Sequence, residues 1–138
     1  REENKIWVFN THFDHIGNIA REESARLLLE KIKMLNTRED PVLVMGDFNA
    51  LEKSMVIDIL RQSLADTMKG TDVEHKGPVG TFNNFLKNQQ IIKRIDYIFS
   101  KGFQTISHQH VDKKLDNGNH ISDHLPVYVK VKTLGNFN

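Results

Sequence analysis

Pro41-Val42-Leu43-Val44-Met45-Gly46-Asp47-Phe48-Asn49 decides how this chain is read. Four apolar residues after a proline suit a short buried strand, and the run stops at Gly46. Asp47 and Asn49 follow two residues apart, so an extended backbone points both to the same side. An acid there can accept a proton from water, and an amide beside it can hold an anionic oxygen or orient the acid. Gly-Asp-x-Asn is also good turn chemistry, so the string alone leaves function and a plain turn open.

On the N-terminal side, Ile6 to Thr11 is a second short apolar run suited to a buried strand, and His12 ends it. From Asn18 to Leu35, Ile19, Ala20, Leu27, Leu28, Ile32 and Leu35 recur at roughly helical spacing. Arg21, Glu22, Glu30, Lys31 and Lys33 fill the other face. Asn18 is placed to cap the start, and Asn36-Thr37 ends the helix. On the C-terminal side, Ser54 to Leu64 reads as a second helix with Met55, Ile57, Ile59 and Leu60 inward. Asp66 to Gly80 is polar and reads as a surface loop. Ile92 to Phe99 and Phe103 to Val111 read as strands. Asp112 to Ser122 is a polar loop with the turn signal Asp116-Asn117-Gly118. Leu125 to Val131 is the last strand, with Val127, Val129 and Val131 alternating against Tyr128 and Lys130. This order fits a single domain of α/β or α+β class with helices on one face of a sheet.

Composition narrows the function. The chain has 138 residues, 38% hydrophobic and 27% charged, with net charge +1, so the balance shows no large basic surface for nucleic acid. There are no cysteines, which excludes disulfides and thiolate metal sites. No apolar run approaches the roughly 20 residues that span a bilayer. No signal peptide is read in the charged opening Arg1-Glu2-Glu3-Asn4-Lys5, and a mature secreted protein would look the same. Localisation is left open.

The remaining polar residues fall at strand ends. Asp123-His124 precedes the last strand. A carboxylate suits a hard cation, and an imidazole kept protonated by an acid can stabilise charge developing on phosphorus. Asp96, inside the apolar run Ile95 to Phe99, is costly there unless paired, with His124 or with Arg94. His75, His108, His110 and His120 read as solvated side chains of loops or exposed strands.

Taken together, Asn-Thr-His-Phe-Asp-His (10–15), Gly-Asp-Phe-Asn (46–49), Arg-Ile-Asp-Tyr-Ile-Phe (94–99) and Ser-Asp-His-Leu-Pro-Val (122–127) resemble the endonuclease/exonuclease/phosphatase superfamily. Deoxyribonuclease I belongs to that group. The ordered set covers residues 6–131. The resemblance implies a metal-dependent phosphoester hydrolase, of phosphodiesterase or nuclease type. Asp47 would activate water, and Asn49 would bind phosphate or orient Asp47. His124 would stabilise the transition state, oriented by Asp96, and His12 would contact the phosphate. Asp123 would help hold Mg²⁺ or Mn²⁺. Asp14, Arg21 and Thr81 would be supporting residues. Lys87, Lys93, Lys113 and Lys114 lie in loops where substrate phosphates would be met.

Family members are about twice this length and form a four-layer α/β/β/α sandwich. Their N-terminal half supplies an Asn and the main metal-ligating Glu. Residues 1–138 are thereby expected to be the C-terminal half, with Glu2 and Glu3 wrongly placed to be that Glu. The chain alone would hold an incomplete site, and its exposed inner face would favour a homodimer or the missing half as partner. The substrate would be a nucleic acid, a phospholipid or a phosphorylated small molecule, the last through phosphomonoesterase activity. Two rivals remain. One is a zinc hydrolase built on His12, Asp14 and His15, in which Asn10 stands where a first His is needed. The other is a non-catalytic binding fragment.

Overall fold

The structure is a computed structural model that describes residues 5–70 and 72–135. Glu2 and Glu3 lie outside the described residues. Chain order gives β1 (Trp7–His12), α1 (Asn18–Leu35), β2 (Val42–Asp47), α2 (Met55–Arg61), β3 (Ala65–Asp66), β4 (Glu74–Lys76), β5 (Asp96–Lys101), β6 (Phe103–His110) and β7 (Val127–Thr133). The fold is mixed α+β. One sheet has the order β1-β2-β5-β3 and the other β4-β6-β7. β2 is parallel to β1 and antiparallel to β5.

The helices cover one face of the first sheet. Val42, Val44, Tyr97 and Phe99 from the sheet meet Ala25, Ile32, Val56, Ile57 and Leu60 from the helices in a single apolar core, with Phe48 fully buried at its centre. Phe48 meets Phe13, Tyr97 and Phe99 edge-on, at ring separations of 5.0, 5.8 and 5.6 Å, the preferred arrangement of aromatic quadrupoles.

Several expectations shift by part of a helical turn or strand. The α1 bounds agree, but the inward stripe is Ala25, Leu28, Leu29, Ile32 and Asn36. Ile19, Leu27 and Leu35 are exposed. Spacing of three and four residues selects the stripe, and contact with α2 and the sheet decides which of two overlapping stripes is used. Asn18 does not cap α1. Gly17 holds that position, and Asp14 accepts the Ile16 and Gly17 N–H groups at 3.0 and 3.1 Å. In α2, Met55 faces outward and Val56 inward. Residues 6–11 are not a buried strand. β1 is an edge strand with helices on one face only, so Trp7 and Phe9 are half-buried and Val8 exposed. The segment 66–80, expected as loop, contributes part of β3 and all of β4.

The largest correction concerns the histidines. His108, His110 and His120 are buried, and His75 is half-buried. The register of β6 against β7 shifts between Thr105 and Ser107. Such an irregularity inverts the inward–outward alternation, so His108 and His110 share the inner face with Val129 and Val127 instead of facing solvent. His75 Nδ1 lies 3.1 Å from His108 Nδ1, and His110 Nδ1 is 2.8 Å from the Pro78 carbonyl. Burial holds the His108 ring at a pKa of about 3 and the His110 ring at about 4, from an ordinary 6.5. Both are therefore neutral in the fold at neutral pH.

A folded-state pKa below the unfolded value means the unfolded chain binds protons first as pH falls. The stability these rings contribute is present above about pH 6.5 and is lost toward their folded values. We expect urea denaturation to show a drop on the order of 2 kcal/mol per ring between about pH 7.5 and about pH 5, with a shallower pH slope in His110→Gln.

Candidate active site at the strand ends

β2 is paired on both edges, and its register sets the site. His12 lies opposite Asp47, and Asp47 opposite Asp96, so three polar residues from three strands form one row. They share the sheet face turned away from the helices, since Val42, Val44 and Phe99 occupy the other. Gly46, one residue before Asp47, has φ +141°, and a Cβ there would meet the Thr11 carbonyl oxygen at 1.8 Å. Only glycine lets β1 and β2 approach this closely where the row begins.

The side chains converge. His12 Nε2 is 3.5 Å and His124 Nε2 3.9 Å from Asp47 Oδ2. His124 Nδ1 is 2.8 Å from Asp96 Oδ2. Asp96 therefore pairs with His124, while Arg94 is engaged elsewhere. Arg94 donates to both oxygens of Asp66 at 2.8 and 2.6 Å, and its guanidinium lies 4.2 Å from the Tyr97 ring centroid. Burial pushes the Asp47 carboxyl above its ordinary range. The Asn49 N–H opposes this, and the nearby Asp96 charge raises it further. A cleft of about 270 Å³ opens beside the row, lined by Asn10, Met45, Asp47, Asp96, Ile98 and Pro126 among others.

Asn49 takes φ +47°, a left-handed turn tolerated by asparagine. Its N–H donates to Asp47 Oδ1 at 2.8 Å and its Nδ2 to the Phe13 carbonyl at 2.9 Å. The backbone of Asn49 thus orients Asp47, while its side chain ties the ends of β1 and β2 together. Asp14 and Arg21 brace the β1–α1 turn. Arg21 Nη1 donates to the Asp14 carbonyl at 2.9 Å, and Nη2 reaches Asn18 Oδ1. The N–H groups that Asp14 accepts hold its carboxyl below the ordinary range. Lys87, Lys93, Lys113 and Lys114 are all exposed.

Thr81 is fully buried under the row. Its hydroxyl accepts the N–H groups of Ile95 and Asp96, each at 3.1 Å, and its carbonyl accepts Leu125 N–H at 2.7 Å. It therefore ties the start of β5 to the segment carrying His124. Phe82 adds a ring edge-on to His124, with centroids 5.1 Å apart. Asn83, also buried, was not singled out from sequence. Its signal in the sequence is its place in Gly80-Thr81-Phe82-Asn83, next to Thr81.

Among the described residues, Asp47, Asp96 and His124 form the acid and imidazole group close enough to share a metal ion. Asp14, His15 and Asp123 are outside it. Asp14 is committed to the α1 N-terminus. Asp123 is half-buried, with Ser122 Oγ at 3.4 Å from Oδ1.

The sequence matches the Endonuclease/Exonuclease/phosphatase family over residues 3–124. No curated protein matches. Among solved structures, a functionally unknown conserved protein of Enterococcus faecalis is 32% identical with TM-score 0.83, over 91% of this chain and 49% of that one. A mannosyl-6-phosphatase of Bacteroides thetaiotaomicron is 33% identical with TM-score 0.82, over 91% and 50%. The human Nocturnin catalytic domain, 21% identical with TM-score 0.66 over 91% and 45%, shares the fold. The chain spans about half the length of these relatives.

The support under the row is testable. Thr81→Val keeps the shape but strands two N–H groups in the interior. It should lower the unfolding free energy by about 1–3 kcal/mol in urea denaturation, and Thr81→Ser should recover most of the loss.

Proposed function

The chain belongs to the endonuclease/exonuclease/phosphatase family, and we propose that it carries the proton-handling part of a metal-dependent phosphoester hydrolase. The observation that carries this reading is the row His12, Asp47 and Asp96 with His124 set against it. Asp47 takes the proton of the attacking water. One oxygen is fixed by the Asn49 N–H, and the raised carboxyl pKa makes it a stronger base than an exposed acid. Asp96 holds His124 at Nδ1, which fixes the ring, and an imidazolium in this pose presents Nε2–H on its other side. Nε2 is then a donor for a phosphoryl oxygen. Its 3.9 Å separation from Asp47 is too long for a direct hydrogen bond. His12, more exposed on the other side of Asp47, is a second donor to the same group.

The donor set fits a hard divalent cation such as Mg²⁺ or Mn²⁺. Two carboxylates face one another across β2 and β5, and the Asp96 charge raises the cost of charging Asp47. Asp47 and Asp96 are the acids of that group that would hold it, and when bound it would offset charge on the phosphoryl oxygens. The chain is read as the C-terminal half of the domain, with a further acid supplied by the other half. Ile6 and Val8 stand exposed, and a groove of about 800 Å³ runs past Ile6, Phe103, Ile106 and Val131. In the working assembly this surface is covered, by the other half or by a second copy. A monomer by light scattering that melts cooperatively would overturn that reading.

On substrate, the sequence places a phosphodiester first. The mannosyl-6-phosphatase relative favours a second reading, a phosphomonoester of a small sugar. The test is hydrolysis of a generic phosphodiester and of mannose 6-phosphate by this chain joined to the other half of the domain, with and without Mg²⁺. We expect metal-dependent release of product that falls by at least about 10²-fold in Asp47→Asn. A rate unchanged by Asp47→Asn would overturn the assignment of the base. Metal-dependent turnover confined to one substrate would decide between monoester and diester.

A further inference from the structure

Residues 81–83 run as a short strand-like segment between the two pieces that carry Asp96 and His124. On one side Thr81 and Phe82 N–H both donate to the Lys93 carbonyl, at 2.8 and 3.0 Å, and the Thr81 hydroxyl takes the N–H groups of Ile95 and Asp96. On the other side Leu125 N–H donates to the Thr81 carbonyl at 2.7 Å, Phe82 is bridged to His124, and Asn83 N–H donates to the Asp123 carbonyl at 2.8 Å.

Asn83 then does more with its side chain. Nδ2 donates to the Ser122 carbonyl at 2.9 Å, and Oδ1 accepts Phe85 N–H at 2.8 Å. The residue is 5% exposed, while Ser122 and Phe85 are exposed, so both bonds are partly shielded from water. Beyond it, Asn84 and Phe85 take φ +52° and +56°, and Leu86 N–H closes the turn on the Asn83 carbonyl at 3.0 Å. A bulky aromatic residue in the left-handed region is strained, because its Cβ crowds the following carbonyl oxygen. Asn83 Oδ1 is the side-chain acceptor that holds this turn.

We propose that Asn83 is a positioning residue for His124. It acts as a two-armed latch that grips Ser122 and Asp123, so that the imidazole stays in register with Asp96. The proposal rests on the functional reading above, in which His124 acts on the phosphoryl group. The geometry of the latch is independent of that reading. The Asp123 carbonyl also accepts the Asn84 N–H, at 3.4 Å. The Ser122 hydroxyl donates to Asp123 Oδ1 at 3.4 Å and accepts the His124 N–H at 3.2 Å. Without the Nδ2 arm, the segment before β7 keeps its backbone bonds to Thr81, Asn83 and Asn84 but loses the side-chain grip on Ser122, which loosens the hold of the His124 ring on Asp96.

The experiment is hydrogen exchange of the His124 Nδ1–H, observed by nitrogen-edited NMR on the full chain and assigned by its loss in His124→Gln. Asn83→Asp keeps the size and the acceptor for Phe85 N–H but removes the donor to Ser122. We expect exchange at His124 Nδ1 to rise about tenfold, while amides of Val44 and Phe99 in the core sheet keep their protection. Asn84→Asp places the same charge one residue along on an exposed side chain and should leave the exchange unchanged. Unchanged exchange in Asn83→Asp, an equal rise in Asn84→Asp, or an equal rise in the core amides would each overturn the proposal. Should Asn83→Asp fail to fold, the Nδ2 protons of Asn83 in the unaltered chain decide. Slow exchange supports the latch, and exchange at the rate of a free amide overturns it. Failure of the hydrolysis test would leave these outcomes readable, because none of them depends on turnover.

Discussion

The double pairing of β2 is the constraint on which the site depends. A strand bonded on one edge can slip by a residue and turn its polar end to the other face. β2 is bonded to β1 on one side and β5 on the other, and the two registers agree on one row at Asp47. A slip would break both ladders and bury Asp47 among Val42, Val44 and Phe48. The core on the helix side therefore fixes where the acids stand on the opposite side. Gly46 is part of this constraint, because the close approach to Thr11 leaves no room for a side chain.

A second layer of contacts turns strand alignment into side-chain geometry. Residues 81–83 join the start of β5 to the segment before β7, and these carry Asp96 and His124. Below them Arg94, Asp66 and Arg61 form a largely buried ion cluster, with the Asp66 side chain 1% exposed. Burial alone would raise the Asp66 carboxyl, but the hydrogen bonds and charge of Arg94 and Arg61 bring it below the ordinary range. Such a cluster adds little net stability relative to an apolar core, yet losing one member leaves a buried charge unpaired. It ties β3, β5 and α2 into one orientation, and the Tyr97 hydroxyl, donating to the Ala50 and Arg94 carbonyls, extends the tie toward the β2 end.

The histidines show how environment divides one residue type into two roles. His12 and His124 stand beside carboxylates, 3.5 Å from Asp47 and 2.8 Å from Asp96. His108 and His110 sit on the inner face of β6 among Val127, Val129 and each other, where burial disfavours charge. Nothing in Gln-Thr-Ile-Ser-His-Gln-His separates the two groups in advance. The difference comes from an irregularity between Thr105 and Ser107 that reverses the alternation of the strand.

The sequence alone determined the local facts. Apolar runs and their breakers located both helices and every strand but β3 and β4, because backbone preference and burial act over a few residues. The four ordered motifs named the family and most of the residues in the row. Tertiary structure decided what depends on contacts between distant segments. It set which stripe of α1 faces inward, where Asp14 and Asn49 spend their hydrogen bonds, and that Arg94 pairs with Asp66 and leaves Asp96 to His124. It also revealed Asn83, whose weight lies in its grip on a carbonyl 39 residues away. Such choices are settled by competition among partners brought together by folding, and a linear pattern records the candidates without their distances.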